Sequence, residues 1–295
     1  MPCGTTETAT QLYRGAVDRA TVRRTDAGWL AAAWPTARVL IVQGDRALVA
    51  GDPPHLVYLA AADAPPGDRL FLGVGTDDVP YFAIAAALPE LPGTRSHSLR
   101  TVGHLLGDVD ADLFTTAVAL ANWHAAHRYD PATGAPTEVA EAGWTRVTGA
   151  GGTLWPRTDP AMIVLVHDGV TGPDGRCLLA HKPEWPTDRY SCVAGYVEPG
   201  ESVEAAVARE VTEEVGVTVH DVRYLTSQPW PFPRSLMLAY TALADPSAPV
   251  VVDGVEIERA RWFRRAEFGT PAGPALPFTT SVAYLLIDRW LHERS

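Results

Sequence analysis

A chain of 295 residues is long enough for two domains with separate cores. A formal net charge of −11 argues against broad nonspecific binding to nucleic acid. The three scattered cysteines, Cys3, Cys177 and Cys192, make neither a disulfide framework nor a metal pair. Met1 to Thr10 lacks a basic start and an apolar run, and no stretch reaches the length of a membrane span, so a cytoplasmic protein is expected.

The first part of the chain reads as strands with turns: Ala37 to Val42, Arg46 to Ala50, His55 to Ala60, Arg69 to Gly73 and Tyr81 to Ala86. Gly44-Asp45 supplies a hairpin turn between the first two. Ala111 to His127 reads as a helix, with Leu113, Ala117, Ala121 and Trp123 on or near one face. These elements form a small strand-rich domain over 1–126, followed by a Gly- and Pro-punctuated linker over 127–158. From 159 to 295 a second domain is expected. Met162 to His167 and Arg176 to His181 form a hairpin around Gly172 to Gly175, and Cys192 to Tyr196 is a further strand. Val222 to Thr226 and Leu236 to Leu243 read as strands, and Thr280 to Glu293 as a final helix with apolar Val282, Leu285, Leu286 and Trp290.

Between these lies GYVEPGESVEAAVAREVTEEVGV, residues 195–217. Ser202 is a good N-cap and Gly216 a good C′ residue, so a helix is predicted between them. Val203, Val207, Val211 and Val215 recur every fourth position and place the core on that side. Glu210, Glu213 and Glu214 fall at i, i+3 and i+4, where like charges cost an isolated helix about 0.2–0.5 kcal/mol per pair. A run of glutamates is most often a solvated face. A cation would offset the repulsion, and hard Mg2+ or Mn2+ suits carboxylate and phosphate oxygens together.

The order Gly195, five residues, Glu201, seven residues, then Arg209-Glu210-Val211-Thr212-Glu213-Glu214-Val215-Gly216-Val217 closely resembles the signature of the Nudix hydrolases. The segment SQPWPFPRSLM, residues 227–237, resembles the hallmark of the NADH pyrophosphatases within that family. The resemblance implies an α+β protein, with a C-terminal Nudix α/β/α sandwich on a mixed sheet and a smaller strand-rich N-terminal domain. It implies water attack on a pyrophosphate, with two or more divalent ions. Glu210 and Glu214 are the expected metal ligands, with Glu213 beside or behind them; the Ala194 carbonyl and Glu256 are further candidates, Glu258 competing with Glu256. Glu214, with Glu210 and Glu213, carries catalysis. Gly195, Glu201, Arg209 and Gly216 shape the box, Glu201 and Arg209 as a loop-to-helix ion pair.

The same resemblance implies a dinucleotide substrate, NADH or NAD, cleaved to AMP and nicotinamide mononucleotide, or an NAD cap removed from RNA. Gln228, Pro229, Trp230, Pro231, Phe232, Pro233, Arg234 and Ser235 would line its pocket. Alternate prolines stiffen this stretch and hold two flat rings, although aromatics here can also serve the core. Arg100, Trp155, Tyr196 and Ala283 match further substrate-contact positions. Relatives act as homodimers in which one chain helps complete the other's pocket. Two other readings stay open: broader hydrolysis of ADP-ribose and dinucleotides, and a nucleotide sensor without turnover.

Many relatives carry a zinc ribbon, with two cysteine pairs around a tryptophan. The matching stretch, His127 to Gly152, keeps Trp144 but has no cysteine, and Asp130 and Thr133 stand where the first pair would be. Structural zinc takes four N or S ligands, commonly thiolates, so no zinc is expected. Elemental analysis of the purified protein should find zinc well below one ion per chain; a stoichiometric ion would refute this.

Overall fold

The computed structural model describes residues 12–293; Cys3 and the segment Met1 to Thr10 lie outside them. The fold is α+β, and chain contacts divide it into two compact units. The first holds residues through Thr158 together with Pro229–Ser235, and the second holds Asp159–Gln228 and Leu236 onward.

The first unit contains α1 (Ala27–Ala33), β1 (Arg38–Val42), β2 (Arg46–Ala50), β3 (His55–Leu56), β4 (Tyr58–Ala60), β5 (Leu70–Val74), β6 (Pro80–Ala85), β7 (Arg95–Ser98), α2 (Leu99–Val102) and α3 (Asp108–Ala126). Gly44 makes the expected turn with a φ of 60°, but Gln43 and Arg46 close only a single bridge across it. Instead of continuing as a hairpin, β1 enters a sheet ordered β4-β1-β6-β5, where it runs parallel to β6. β2 pairs with β3 and β7 in another sheet. Alternation along β1 explains the layering. Leu40 and Val42 join the core under α3, while Val39 and Ile41 pack with Ala61 and Ile84.

α3 is buried on far more than the one expected face, with Leu113, Phe114, Ala117, Val118 and Trp123 all enclosed. Its Asp112 is 1% exposed, and its carboxylate accepts the backbone N–H groups of Arg14, Ala16 and Val17. That buried anion pins the entering chain to the helix.

The linker forms a three-stranded antiparallel sheet of β8 (Thr137–Ala140), β9 (Thr145–Thr148) and β10 (Thr153–Leu154). Asp130 and Thr133 hydrogen-bond to each other at 2.7 Å within the turn that precedes it. Trp144 Nε1 donates to the Phe71 carbonyl at 2.7 Å, and the Arg24 guanidinium lies 3.5 Å over its ring.

The second unit is built on β11 (Asp159–His167), β12 (Arg176–His181), β13 (Val193–Tyr196), β14 (His220–Trp230), β15 (Ser235–Leu243) and β16 (Arg259–Arg264), with α4 (Val203–Val215) and α5 (Val282–His292). The strand order is β14-β15-β11-β12-β16, with β13 pairing β11 as well. β11 runs antiparallel to β12 and β13, and β12 antiparallel to β16. Met162, Val164 and Val166 of β11 pack with Val207, Val211 and Val215 of α4, while Ile163 and Leu165 pack with Val282, Leu286 and Trp290 of α5. The period of two along one strand thus produces a helix-sheet-helix sandwich. β14 continues through Trp230, beyond the expected end at Thr226, so the prolines begin inside a strand and only the tip turns.

Replacing Asp112 with Ala leaves three backbone donors unpaired in the first unit. Urea unfolding should show a loss of at least about 2–3 kcal/mol, the scale of a single hydrogen bond to a charged group.

Candidate functional site

α4 begins where Ser202 accepts the Ala205 N–H and ends at Gly216, which adopts the left-handed φ of 71°. Val207, Val211 and Val215 anchor one side of α4 in the core, which fixes the rotation of the three glutamates. That rotation separates them. Glu214 is buried, the Glu210 side chain is 14% exposed, and Glu213 is 61% exposed.

Gly195, on β13, faces Glu210. A Cβ at this position would collide with the Glu210 carboxylate, so only a glycine lets the strand and that side chain approach so closely. Arg209 organises the entrance. It binds Glu201 through Nε and Nη2 at 3.1 and 2.6 Å, Glu210 and Glu213 through Nη1 at 3.0 Å each, and the Tyr196 carbonyl through Nη2 at 3.0 Å. Glu201 also accepts the Glu198 N–H at 2.8 Å. The loop before α4 is thereby tied to the helix at both ends. The cation set among the glutamates is therefore Arg209, which the sequence reading paired with Glu201 alone; its i+4 relation to Glu213 was the available signal.

Glu214 is outside this clasp. Neither of its carboxylate oxygens has a hydrogen-bond partner among the described residues. Burial pushes its pKa up to about 8; Lys182 opposes the shift, and Glu210, Glu256 and Asp253 add to it. Burial also raises Glu210, against the bonds from Arg209. Lys182, missed in the sequence, lies 3.6 Å from Glu256 and supplies positive charge beside this anionic group. Asp253 shapes the loop that carries Glu256 by accepting the N–H groups of Val255, Glu256 and Ile257 at 3.2, 3.1 and 2.9 Å. Glu258 is turned elsewhere, 3.3 Å from His181 Nε2.

A buried carboxylate with two unsatisfied oxygens, flanked by further carboxylates, is the oxygen-rich donor set that hard divalent cations take. The residues present fit such an ion. Among the described residues no three acidic, histidine or cysteine side chains are grouped closely enough to hold an ion together, and Arg209 pairs with Glu210 and Glu213.

The remaining candidates divide. Tyr196 and Trp155 are exposed, at 54% and 65%. Ala194 lies on β13 opposite Ile163, and Ala283 is buried on α5. Gln228 is 1% exposed and already engaged: it donates to the Thr280 carbonyl at 2.8 Å and accepts the Val282 N–H at 2.7 Å, capping α5. Trp230 and Phe232 pack edge-to-face, 4.8 Å apart, and half-buried against the core of the first unit. Arg100 lies 4.3 Å over the Phe232 ring and 5.6 Å over Trp230. Asn122 donates to the Pro231 carbonyl at 2.8 Å. Pro231 and Ser235 are buried, Pro229 and Arg234 half-buried, and Pro233 exposed.

Gly195→Ala tests the close approach. Displacing Glu210 by about 1 Å should lower the hydrolytic rate about 10²-fold while circular dichroism and the thermal midpoint hold. A wild-type rate would mean that the position of Glu210 is not used.

Residues 158–282 match the NUDIX domain model, and residues 36–123 match that of the NADH pyrophosphatase-like rudimentary NUDIX domain. The NAD-capped RNA hydrolase NudC of Mycobacterium bovis is 41% identical over 298 residues, covering 95% of this chain and 94% of its own. The protein of the same description from Stutzerimonas stutzeri is 41% identical over 224 residues, covering 74% and 76%. A NUDIX hydrolase structure from Nitrosomonas europaea aligns at a TM-score of 0.40 and 17% identity, covering 57% of this chain and 92% of that one. On its likeness to the NudC proteins over nearly the whole chain and on the two domain matches, the chain belongs to the NUDIX hydrolases, with an NADH pyrophosphatase-like first domain.

Proposed function

We propose that this protein hydrolyses the pyrophosphate bond of NAD or NADH to AMP and nicotinamide mononucleotide, and that it removes NAD caps from RNA by the same chemistry. The observation that carries the reading is Glu214, buried with both oxygens unsatisfied inside an intact NUDIX box. The activity for which relatives spanning nearly the whole chain are named supports the substrate class. A non-catalytic sensor has little physical use for such a carboxylate, whose burial costs stability unless it is matched by a cation.

In this reading the second unit carries the chemistry, and Glu210, Glu214 and Glu256, with Glu213 and the Ala194 carbonyl, would hold divalent Mg2+ or Mn2+. Such ions neutralise the diphosphate and make bound water more acidic. The chain supplies the rest. Glu214 takes the proton of the attacking water. Arg209, with Glu201, holds the loop before α4, and Gly195 lets the Glu210 carboxylate sit against β13. Lys182 limits repulsion between the carboxylates and an anionic substrate. Within the second unit the exposed ring of Tyr196 is available for stacking on a base, whereas Trp230 and Phe232 brace the first unit. The cytoplasm, where its substrates are free, and a homodimer complete the proposal; among the described residues no helix is long and apolar enough to cross a membrane.

Glu214→Gln should lower NADH cleavage by at least about 10²–10³-fold, the scale of losing one charge-bearing group from a preorganised site. The check is turnover of NADH, NAD, ADP-ribose and NAD-capped RNA in oxygen-18 water, each with Mg2+ and with Mn2+, with products read by mass spectrometry. AMP and nicotinamide mononucleotide with label on one phosphate support the reading. Preference for ADP-ribose over every NAD substrate, or full activity in Glu214→Gln, would overturn it.

A further inference from the structure

The first unit contains a cleft of about 440 Å³ to which none of the residues discussed above for hydrolysis contributes. It lies where the end of α3, the turn after it, β9 and the start of β5 meet, and its polar lining comes from Asp68, His124, Arg128, Tyr129, Thr137 and Arg146. Its volume is within the range of small-molecule sites, about 300–1,000 Å³.

Arg146 gives the cleft its character. It is 7% exposed, yet among the described residues no carboxylate lies within ion-pair distance of it. Its Nε and Nη2 donate to Thr137 Oγ1 and the Thr137 carbonyl, both at 2.7 Å. Its Nη1 donates to His124 Nδ1 at 3.0 Å. His124 is able to accept because its other nitrogen, Nε2, donates to the Gly143 carbonyl at 2.8 Å, which fixes a neutral tautomer. Burial, with Arg146 nearby, also lowers the pKa of this ring, so it adds no charge of its own. Three of the five guanidinium N–H groups are spent on neutral acceptors, and two remain. A buried cation held in place by neutral groups is costly unless an anion joins it.

Arg128, exposed on the same lining, has no carboxylate partner among the described residues either. The two guanidinium groups outweigh the one acidic side chain, Asp68. A bare inorganic anion would be repelled by Asp68, whereas an anion bearing hydroxyl groups could donate to it. Tyr129, 62% exposed, offers a ring for a base to stack on.

We propose that this cleft binds a nucleoside monophosphate, its phosphate gripped by Arg146 and Arg128, its ribose hydroxyls or base N–H facing Asp68, and its base against Tyr129. The site is separate from the NUDIX box and does not depend on the activity proposed for it. Arg146 is preorganised by Thr137 and His124, so little ordering is needed on binding.

The test is calorimetry on the full chain in EDTA, which removes the divalent ions that could draw nucleotide to the box. AMP, adenosine, ribose 5-phosphate and inorganic phosphate are titrated into the wild type, Arg128→Glu and Tyr129→Ala; both altered side chains are exposed, so the fold should be kept, and circular dichroism checks this. Expected are saturable AMP binding, at least about tenfold weaker in Arg128→Glu, as for loss of one charged contact, and adenosine binding weaker than AMP by a similar factor. Ribose 5-phosphate should bind more weakly than AMP, and Tyr129→Ala should erase that difference. Absence of AMP binding, AMP binding unchanged in Arg128→Glu, or adenosine binding as tight as AMP would each overturn the proposal.

Discussion

Arg209 spends all five of its guanidinium N–H groups in the second unit: two on Glu201, one each on Glu210 and Glu213, and one on the Tyr196 carbonyl. No other residue type could do this, because only a planar fork with donors on several edges reaches a loop carboxylate, a strand-end carbonyl and its own helix at once. The arrangement needs Gly195 to have no side chain, because that is what brings β13 against Glu210. It also needs the valine stripe of α4 in the core, which sets the helix rotation. With these in place, Glu214 has no hydrogen-bond partner among the described residues. The clasp thus keeps Glu210 and Glu213 screened and leaves one buried carboxylate unmatched.

Such a carboxylate is destabilising by itself, and its pKa raised to about 8 by burial expresses that cost. Natural folds retain that kind of strain where a ligand or cation relieves it. Glu256 and Lys182 fit this view, since both lie close enough to influence Glu214 and neither neutralises it.

What could be read from the chain was what is local. Both ends of α4 follow from Ser202 and Gly216, whose partners are within four residues, and the sandwich follows from alternation along β11 and the apolar stripe of α5. The spacing of Glu201 and Arg209 was also legible, because loop and helix are eight residues apart. Legibility failed where the partner is remote. Gly44 announced a turn correctly, but β1 found its parallel partner in β6, 43 residues on, and competition between sheets is not written in a turn. The cap that Gln228 makes for α5 could not be read locally, because its partners are 52 and 54 residues away. Trp230 and Phe232 carry a recognisable motif, yet their packing depends on Asn122 and Arg100, more than a hundred residues earlier. A motif fixes residue types; which face of each ring stays open is decided by the core they meet.

Three buried ionisable groups show the difference between architecture and function in this chain. Asp112 is matched by three backbone donors, which makes it a fastener. Arg146 is held by neutral acceptors, with two donors left over. Glu214 has no hydrogen bond among the described residues. Burying an ionised group is costly in proportion to what remains unmatched, so the three form an ordered series. The satisfied group needs nothing more to explain its presence. The other two keep unmatched hydrogen-bonding capacity, and that is the basis of the anion proposed at Arg146 and the cation proposed at Glu214.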